Sequence, residues 1–266
     1  MNGPKLYVDH LSKEGYHPRS SKHGDFLAMA VLLDLVEFSP KIRAAGAAGD
    51  LVFAQNYVIK VADDSVAQEL SDAARNDLSW NIDLAVGPPA ERAVHATRMR
   101  NDPAQLVSPS VMRRGTPREV WLVLDAKGVM TEHGKARRNR QRDLTALWTV
   151  MKTFLPSVVV GAVIPINISA RFKSPLRTAA TTHSNISQLV AETLGIFRAV
   201  RQTSGTGRGI DGLGCFVVDF DNLPGTKARY IERPPAPQLG DVIHYANMIR
   251  GLCAALEKRL SAPLAG

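Results

Sequence analysis

The chain has 266 residues, 45% of them hydrophobic, and its 33 lysines and arginines outnumber 25 acidic residues to give a formal net charge of +8. That is enough apolar material for one large core, and the cationic surplus favours a polyanionic partner: DNA, RNA or anionic lipid. No apolar run approaches the roughly eighteen residues a membrane span needs, so no membrane partner is expected. The N-terminus lacks an apolar signal core, and two lone cysteines, Cys215 and Cys253, fit a reducing cytoplasm and exclude a disulfide framework or a cysteine-based zinc site.

In chain order, residues 24–38 predict a mostly buried helix that Ser39-Pro40 closes, and residues 40–48 a second, short one. Branched and aromatic residues predict a strand over 51–60, and 62–78 reads as a polar excursion. A strand over 80–86 is stopped by Gly87-Pro88-Pro89. Residues 90–117 lack a clean period and read as an arginine-rich insertion. A third strand follows over 119–126. Leu144, Leu147, Trp148 and Met151 at helical spacing predict a helix over 136–154, ended by Pro156. Residues 157–168 are nearly all apolar, which predicts a strand buried on both faces. Beyond it come a helix over 184–202, a glycine-rich loop over 203–214, a strand over 215–220 and a closing helix over 239–260, the last either core or a dimer contact. The glycine-rich loop lacks the Gly-Lys-Ser/Thr ending of a P-loop. No domain boundary is strong enough to cut the chain. A single domain is expected, with a core over about 20–170 and a C-terminal extension over about 184–260.

The chemistry gathers at two strands. Asp83 is expected at the end of one, and Asp125-Ala126-Lys127 at the end of the other. Successive strand side chains point to opposite faces, so Asp125 and Lys127 share one. Two carboxylates and an ammonium are the parts needed to hold a divalent cation and a water beside a phosphodiester. Asp83 interrupts an otherwise apolar strand, which is costly for a carboxylate without a partner. Downstream, Lys135, Arg137, Arg138, Arg140 and Arg142 fall in one window, and Lys135, Arg138 and Arg142 share a helix face. Cations at a helix start oppose the helix dipole and so favour an anionic ligand there.

These residues resemble the PD-(D/E)xK nuclease superfamily, which includes most type II restriction endonucleases. Ile82 stands where the eponymous proline would be, and the spacer from Asp83 to Asp125 is longer than usual. The resemblance implies an α/β fold with an αβββαβ core, a central mixed sheet flanked by helices, carrying the insertion and the C-terminal elaborations. It implies a prokaryotic, cytoplasmic, restriction-type endonuclease acting on double-stranded DNA as a homodimer. Magnesium, with manganese as a substitute, would lie on Asp83, Asp125 and the backbone carbonyl of Ala126, and Lys127 would position and activate the water. It further offers Asp34 on the first helix and Gln141 on the basic helix as residues reaching the metal site. Lys135, Arg137, Arg138, Arg140, Arg142 and His133 would contact DNA, with Arg113 and Arg114 of the insertion as base readers beside Arg98 and Arg100. For Gln141 a plain surface position is the competing reading, and for His133 a loop position without a role; His10, His17 and His23 lack compact zinc spacing and read as surface residues. Arg19, Lys22 and the amides that follow could bind phosphate, or Ser20 or Ser21 could cap the helix. Competing functions are another nuclease on the same core (repair, junction-resolving or defence effector) and a nucleic-acid-binding protein without catalysis.

Overall fold

A computed structural model describes residues 1–60, 79–90, 103–202 and 210–261. Three helices come first: α1 (Gly3–Glu14), α2 (Lys22–Phe38) and α3 (Pro40–Ala48). Then follow β1 (Val52–Lys60), β2 (Ser79–Gly87), a 3-10 turn (Pro103–Leu106), β3 (Arg113–Arg114), β4 (Leu122–Ala126) and α4 (His133–Phe154). The remainder is β5 (Val159–Asn167), β6 (Arg171–Phe172), β7 (Thr181–Thr182), α5 (Ile186–Gln202), β8 (Gly212–Asp219), β9 (Arg229–Ile231) and α6 (Tyr245–Ser261).

Local chemistry sets several of these boundaries. Ser39 ends α2 in extended backbone, and its hydroxyl accepts from the Ile42 amide to start α3, with Pro40 in the first turn. Gly49 closes α3 at φ 85°, a left-handed conformation glycine adopts without strain. By contrast, α1 starts on a distant partner. The amides of Asn2 and Gly3 donate to the Asp34 carboxylate on α2 at 2.7 and 2.9 Å.

The fold is α/β, with a mixed seven-stranded sheet in the order β3-β1-β2-β4-β5-β8-β9, flanked by helices. β1, β2 and β4 run antiparallel in turn, and β5 and β8 are parallel to β4. The parallel β4–β5 step is bridged by α4, as a parallel connection requires. All nine positions of β5 are buried, as its continuous apolar run predicts. The segment read as an extension supplies β8 and β9 to this same sheet.

Side-chain alternation divides the apolar residues between two cores. Leu84, Leu124, Phe216 and Val218 pack with α1, α2 and α6 on one side. Val123, Val160, Ile164, Leu213 and Val217 pack with α4 and α5 on the other. The β1–β2 ribbon changes sides partway along. Phe53 and Leu84 belong to the first core, whereas Ile59 and Ile82 belong to the second. The change falls between the pairs Gln55–Leu84 and Tyr57–Ile82, at Asn56 and Asp83, and Asn56 has φ 49°.

Candidate functional site

Asp83 does not end its strand, as its sequence suggested; it lies midway along β2. It stands one residue beyond the last β2–β4 pair, Leu84–Leu124, and by that register lies level with Asp125. The second half of β2 stays paired with β4 and buried, while the first half runs on with β1 alone. Asp83 therefore marks the point where β4 leaves the ribbon.

Asp83, Asp125 and Lys127 meet there. The Lys127 ammonium is 2.8 Å from Asp125 Oδ1 and 3.7 Å from Asp83 Oδ2. The Ala126 amide donates to Asp83 Oδ2 at 2.7 Å. Burial, followed by the charge of neighbouring Asp125, pushes the Asp83 carboxyl up to about 6; Lys127 and the Ala126 N–H offset only part of this. Burial of Lys127 favours its neutral form, but Asp125 and Asp83 together outweigh that and raise its pKa. Lys127 is thus an ammonium at neutral pH while it sits on these carboxylates.

The first turn of α2 roofs the cluster. A Cβ placed on Gly24 would lie 3.3 Å from the Ala126 carbonyl oxygen and 3.7 and 3.8 Å from the two Asp83 oxygens. Those three oxygens therefore lie within 4 Å of one point, which the absence of a side chain on Gly24 leaves clear. Among the described residues no group of three or more histidine, cysteine or acidic side chains is arranged to hold a metal. Magnesium asks for less: one or two carboxylates, further oxygens and water suffice. Asp83, Asp125 and the Ala126 carbonyl fit that hard-oxygen requirement.

A cavity of about 370 Å³ opens on the cluster, lined by Asp83, Lys127, Arg140, Tyr16 and Arg19 among others. Its wall also includes His23, which is buried rather than on the surface. The His17 amide donates to His23 Nε2 at 3.0 Å, so His23 carries its hydrogen on Nδ1 and donates it to His10 Nε2 at 3.1 Å. Burial lowers both rings to about 4, so the pair is neutral at pH 7. It acts as a strut under the start of α2.

Other expected residues fall elsewhere. Asp34 is buried ten residues along α2 from Gly24, about 15 Å by helical rise. Besides the α1 amides it accepts from the Tyr245 hydroxyl at 2.8 Å, so it is a cap and not a metal-site residue. Gln141 is exposed, and it is Arg140 that lines the cavity. His133 is buried at the first position of α4, bonded through Nε2 to the Asn167 carbonyl at 2.6 Å, and so is not free to touch DNA. Arg113 and Arg114 pair with Val52 and Phe53 at the start of β1, and neither lines the cavity on the cluster. Arg98 and Arg100 lie outside the described residues, as does most of the glycine-rich loop. Of the cations on α4, Lys135, Arg138 and Arg142 are exposed; Arg137 is tied to Glu192 of α5 at 2.5 Å.

No protein-family model, no curated protein and no solved structure matches the chain. Among the described residues no helix is long and apolar enough to cross a membrane.

Proposed function

We propose that the protein is a metal-dependent endonuclease of the PD-(D/E)xK kind that hydrolyses phosphodiester bonds in double-stranded DNA, in the manner of a restriction enzyme. The observation that carries this reading is the meeting of Asp83, Asp125 and Lys127 beside a cation-lined cavity. The order α2-α3-β1-β2-β3-β4-α4-β5 supports it: with the short α3 and the two-residue β3 set aside, helix, three antiparallel strands, helix and a parallel strand follow the αβββαβ succession expected for that superfamily.

Asp83, Asp125 and the Ala126 carbonyl would hold magnesium, or manganese in its place. The bound cation supplies neutralisation of phosphate charge and acidification of water. Lys127 donates through its ammonium to the attacking water or a phosphate oxygen, because its raised pKa suits a donor better than a base. The solvent stripe Lys135, Arg138 and Arg142 contacts the DNA backbone, which positions a duplex without reading its sequence. Cutting both strands symmetrically calls for a homodimer.

The test is plasmid cleavage with and without magnesium, followed by sequencing of the ends. The purified wild type should cut only with the metal. Asp125→Ala and Lys127→Ala should remain folded by circular dichroism and be inactive. Full cutting by either variant, or no cutting by the wild type on any duplex, refutes the proposal.

A further inference from the structure

Tyr16 and Arg140 share a feature that the cluster chemistry leaves unused: each is held firmly in place yet keeps a donor without a partner. The Tyr16 amide donates to Asn222 Oδ1 at 2.7 Å, and Asn222 Nδ2 donates to the Tyr16 carbonyl at 3.0 Å. The ring stacks on His23, centroids 4.9 Å apart, and meets Phe172 edge-on at 6.0 Å. Yet its hydroxyl has no hydrogen-bond partner among the described residues. That hydroxyl lies 3.6 Å from where a Cβ on Gly128 would stand, next in sequence to Lys127. Arg140, from the opposite wall, is tethered through Nη1 to Asp143 at 2.7 Å. Its Nε–H is buried and has no hydrogen-bond partner among the described residues, which is costly. Tethering Nη1 leaves the Nε–Nη2 edge, the fork whose spacing matches two oxygens of a phosphate.

Charge in the cavity points the same way. Arg19, Lys127 and Arg140 line it with one carboxylate, Asp83, and the neutral His23; Asp125 and Asp143, outside the lining, offset part of the charge of Lys127 and Arg140. Arg140 is near enough to act electrostatically on both Lys127 and Tyr16. The space of about 370 Å³ admits a phosphate group with water.

We infer that this cavity is an anion cradle in which Arg140, through its Nε–Nη2 edge, and Tyr16, through its hydroxyl, donate to the non-bridging oxygens of one phosphate group. A small rotation of the guanidinium toward the anion relieves its unsatisfied Nε. That the natural occupant is a phosphodiester rests on the proposed nuclease function; the cradle itself rests on the geometry.

Inorganic phosphate is the probe. Full-length protein in chelator is unfolded thermally in phosphate or in chloride at matched ionic strength, and phosphate affinity is extracted from the gain in stability. The comparison covers wild type, Tyr16→Phe, Arg140→Ala, Arg140→Lys and Lys41→Ala, the last an exposed lysine of α3 outside the cavity. Tyr16→Phe removes only the unpartnered hydroxyl and should fold normally. Arg140→Ala should lose affinity about tenfold or more, with Arg140→Lys recovering part, and Tyr16→Phe about threefold. Lys41→Ala should match wild type. A phosphate response that depends on Arg140 and Tyr16 supports the cradle whether or not the protein cuts DNA. An equal response in every variant, or none in wild type, overturns it even where DNA is cut.

Discussion

Replacing Asp83 by asparagine should stabilise the metal-free protein near pH 8 and leave it unchanged near pH 4. The Asp83 carboxyl is pushed up to about 6 from an ordinary 3.8, by burial first and by Asp125 second. The folded state therefore holds this proton more tightly than the unfolded chain does. Stability is greatest while both states are protonated, and falls as pH rises from about 4 through about 6. The difference in affinity amounts to about 3 kcal/mol once the group is ionised. Attraction to Lys127 is already contained in that net figure, since Lys127 opposes the shift. Asparagine keeps an acceptor for the Ala126 N–H, and the 17% of the Asp83 side chain left exposed gives its amide access to water. Allowing for relaxation, the variant should gain about 1–3 kcal/mol above pH 7. Urea unfolding of both proteins in chelator, across this pH range, measures it. Magnesium should then stabilise the wild type and not the variant, because only the wild type offers it both carboxylates. A difference in stability that is the same at both ends of the range, or a variant weaker than wild type near pH 8, refutes the electrostatic account of the cluster.

Three further outcomes follow from the geometry. Asp34→Ala should cost about 3 kcal/mol or more in urea unfolding, because two α1 amides and the Tyr245 hydroxyl lose a buried acceptor, while the folded fraction keeps its affinity for magnesium. Gly24→Ala should raise the magnesium concentration needed for metal-induced stabilisation about tenfold with little change in metal-free stability, since the added methyl would sit against the Ala126 carbonyl and both Asp83 oxygens. Arg138→Ala with Arg142→Ala should weaken binding to all duplexes alike and reduce the salt slope by about 2; a loss confined to one sequence would instead make these residues base readers.

Much of the sheet could be read locally, and most of the site could not. Strands β1, β2, β4 and β5 announce themselves through branched apolar runs with glycine and proline stops, and the Asp125–Lys127 pairing follows from alternation alone. That Asp83 stands level with Asp125 depends on strand register across a long spacer, which no local pattern encodes. Helix α1 was not predicted although its boundary signals stand in its own sequence, with Asn2 at the N-cap, Pro4 in the first turn and Gly15 past the end; what no local pattern shows is that Asp34 of α2, and not Asn2, accepts from its first amides. Gln141 and Arg140 differ by about 100° of helical rotation. The apolar stripe could have chosen between them: counting back from Leu144 and Leu147 at helical spacing reaches Arg140 and then Arg137, which share the inward side with buried His133. The walls of the cavity come from α1, the turn before α2, α2 itself, both ribbon strands, the end of β4, α4 and β5, and only the tertiary fold brings them together.

The position of the acid in mid-strand has a structural cause. A carboxylate within a strand that packs on one core throughout would be buried against apolar side chains. Here the ribbon changes cores at Asn56 and Asp83, so the carboxylate stands at the border of the two clusters and lines the cavity. Asn56 takes up the twist at φ 49°, a conformation asparagine tolerates better than most residues. β4 stops pairing with β2 beside it, and Gly24 leaves space above. The distortion of the ribbon thus opens one gap between the two cores, and Asp83, Asp125 and Lys127 occupy it. Asn56 and Asp83 line the same cavity, so the left-handed residue and the candidate site are parts of one feature.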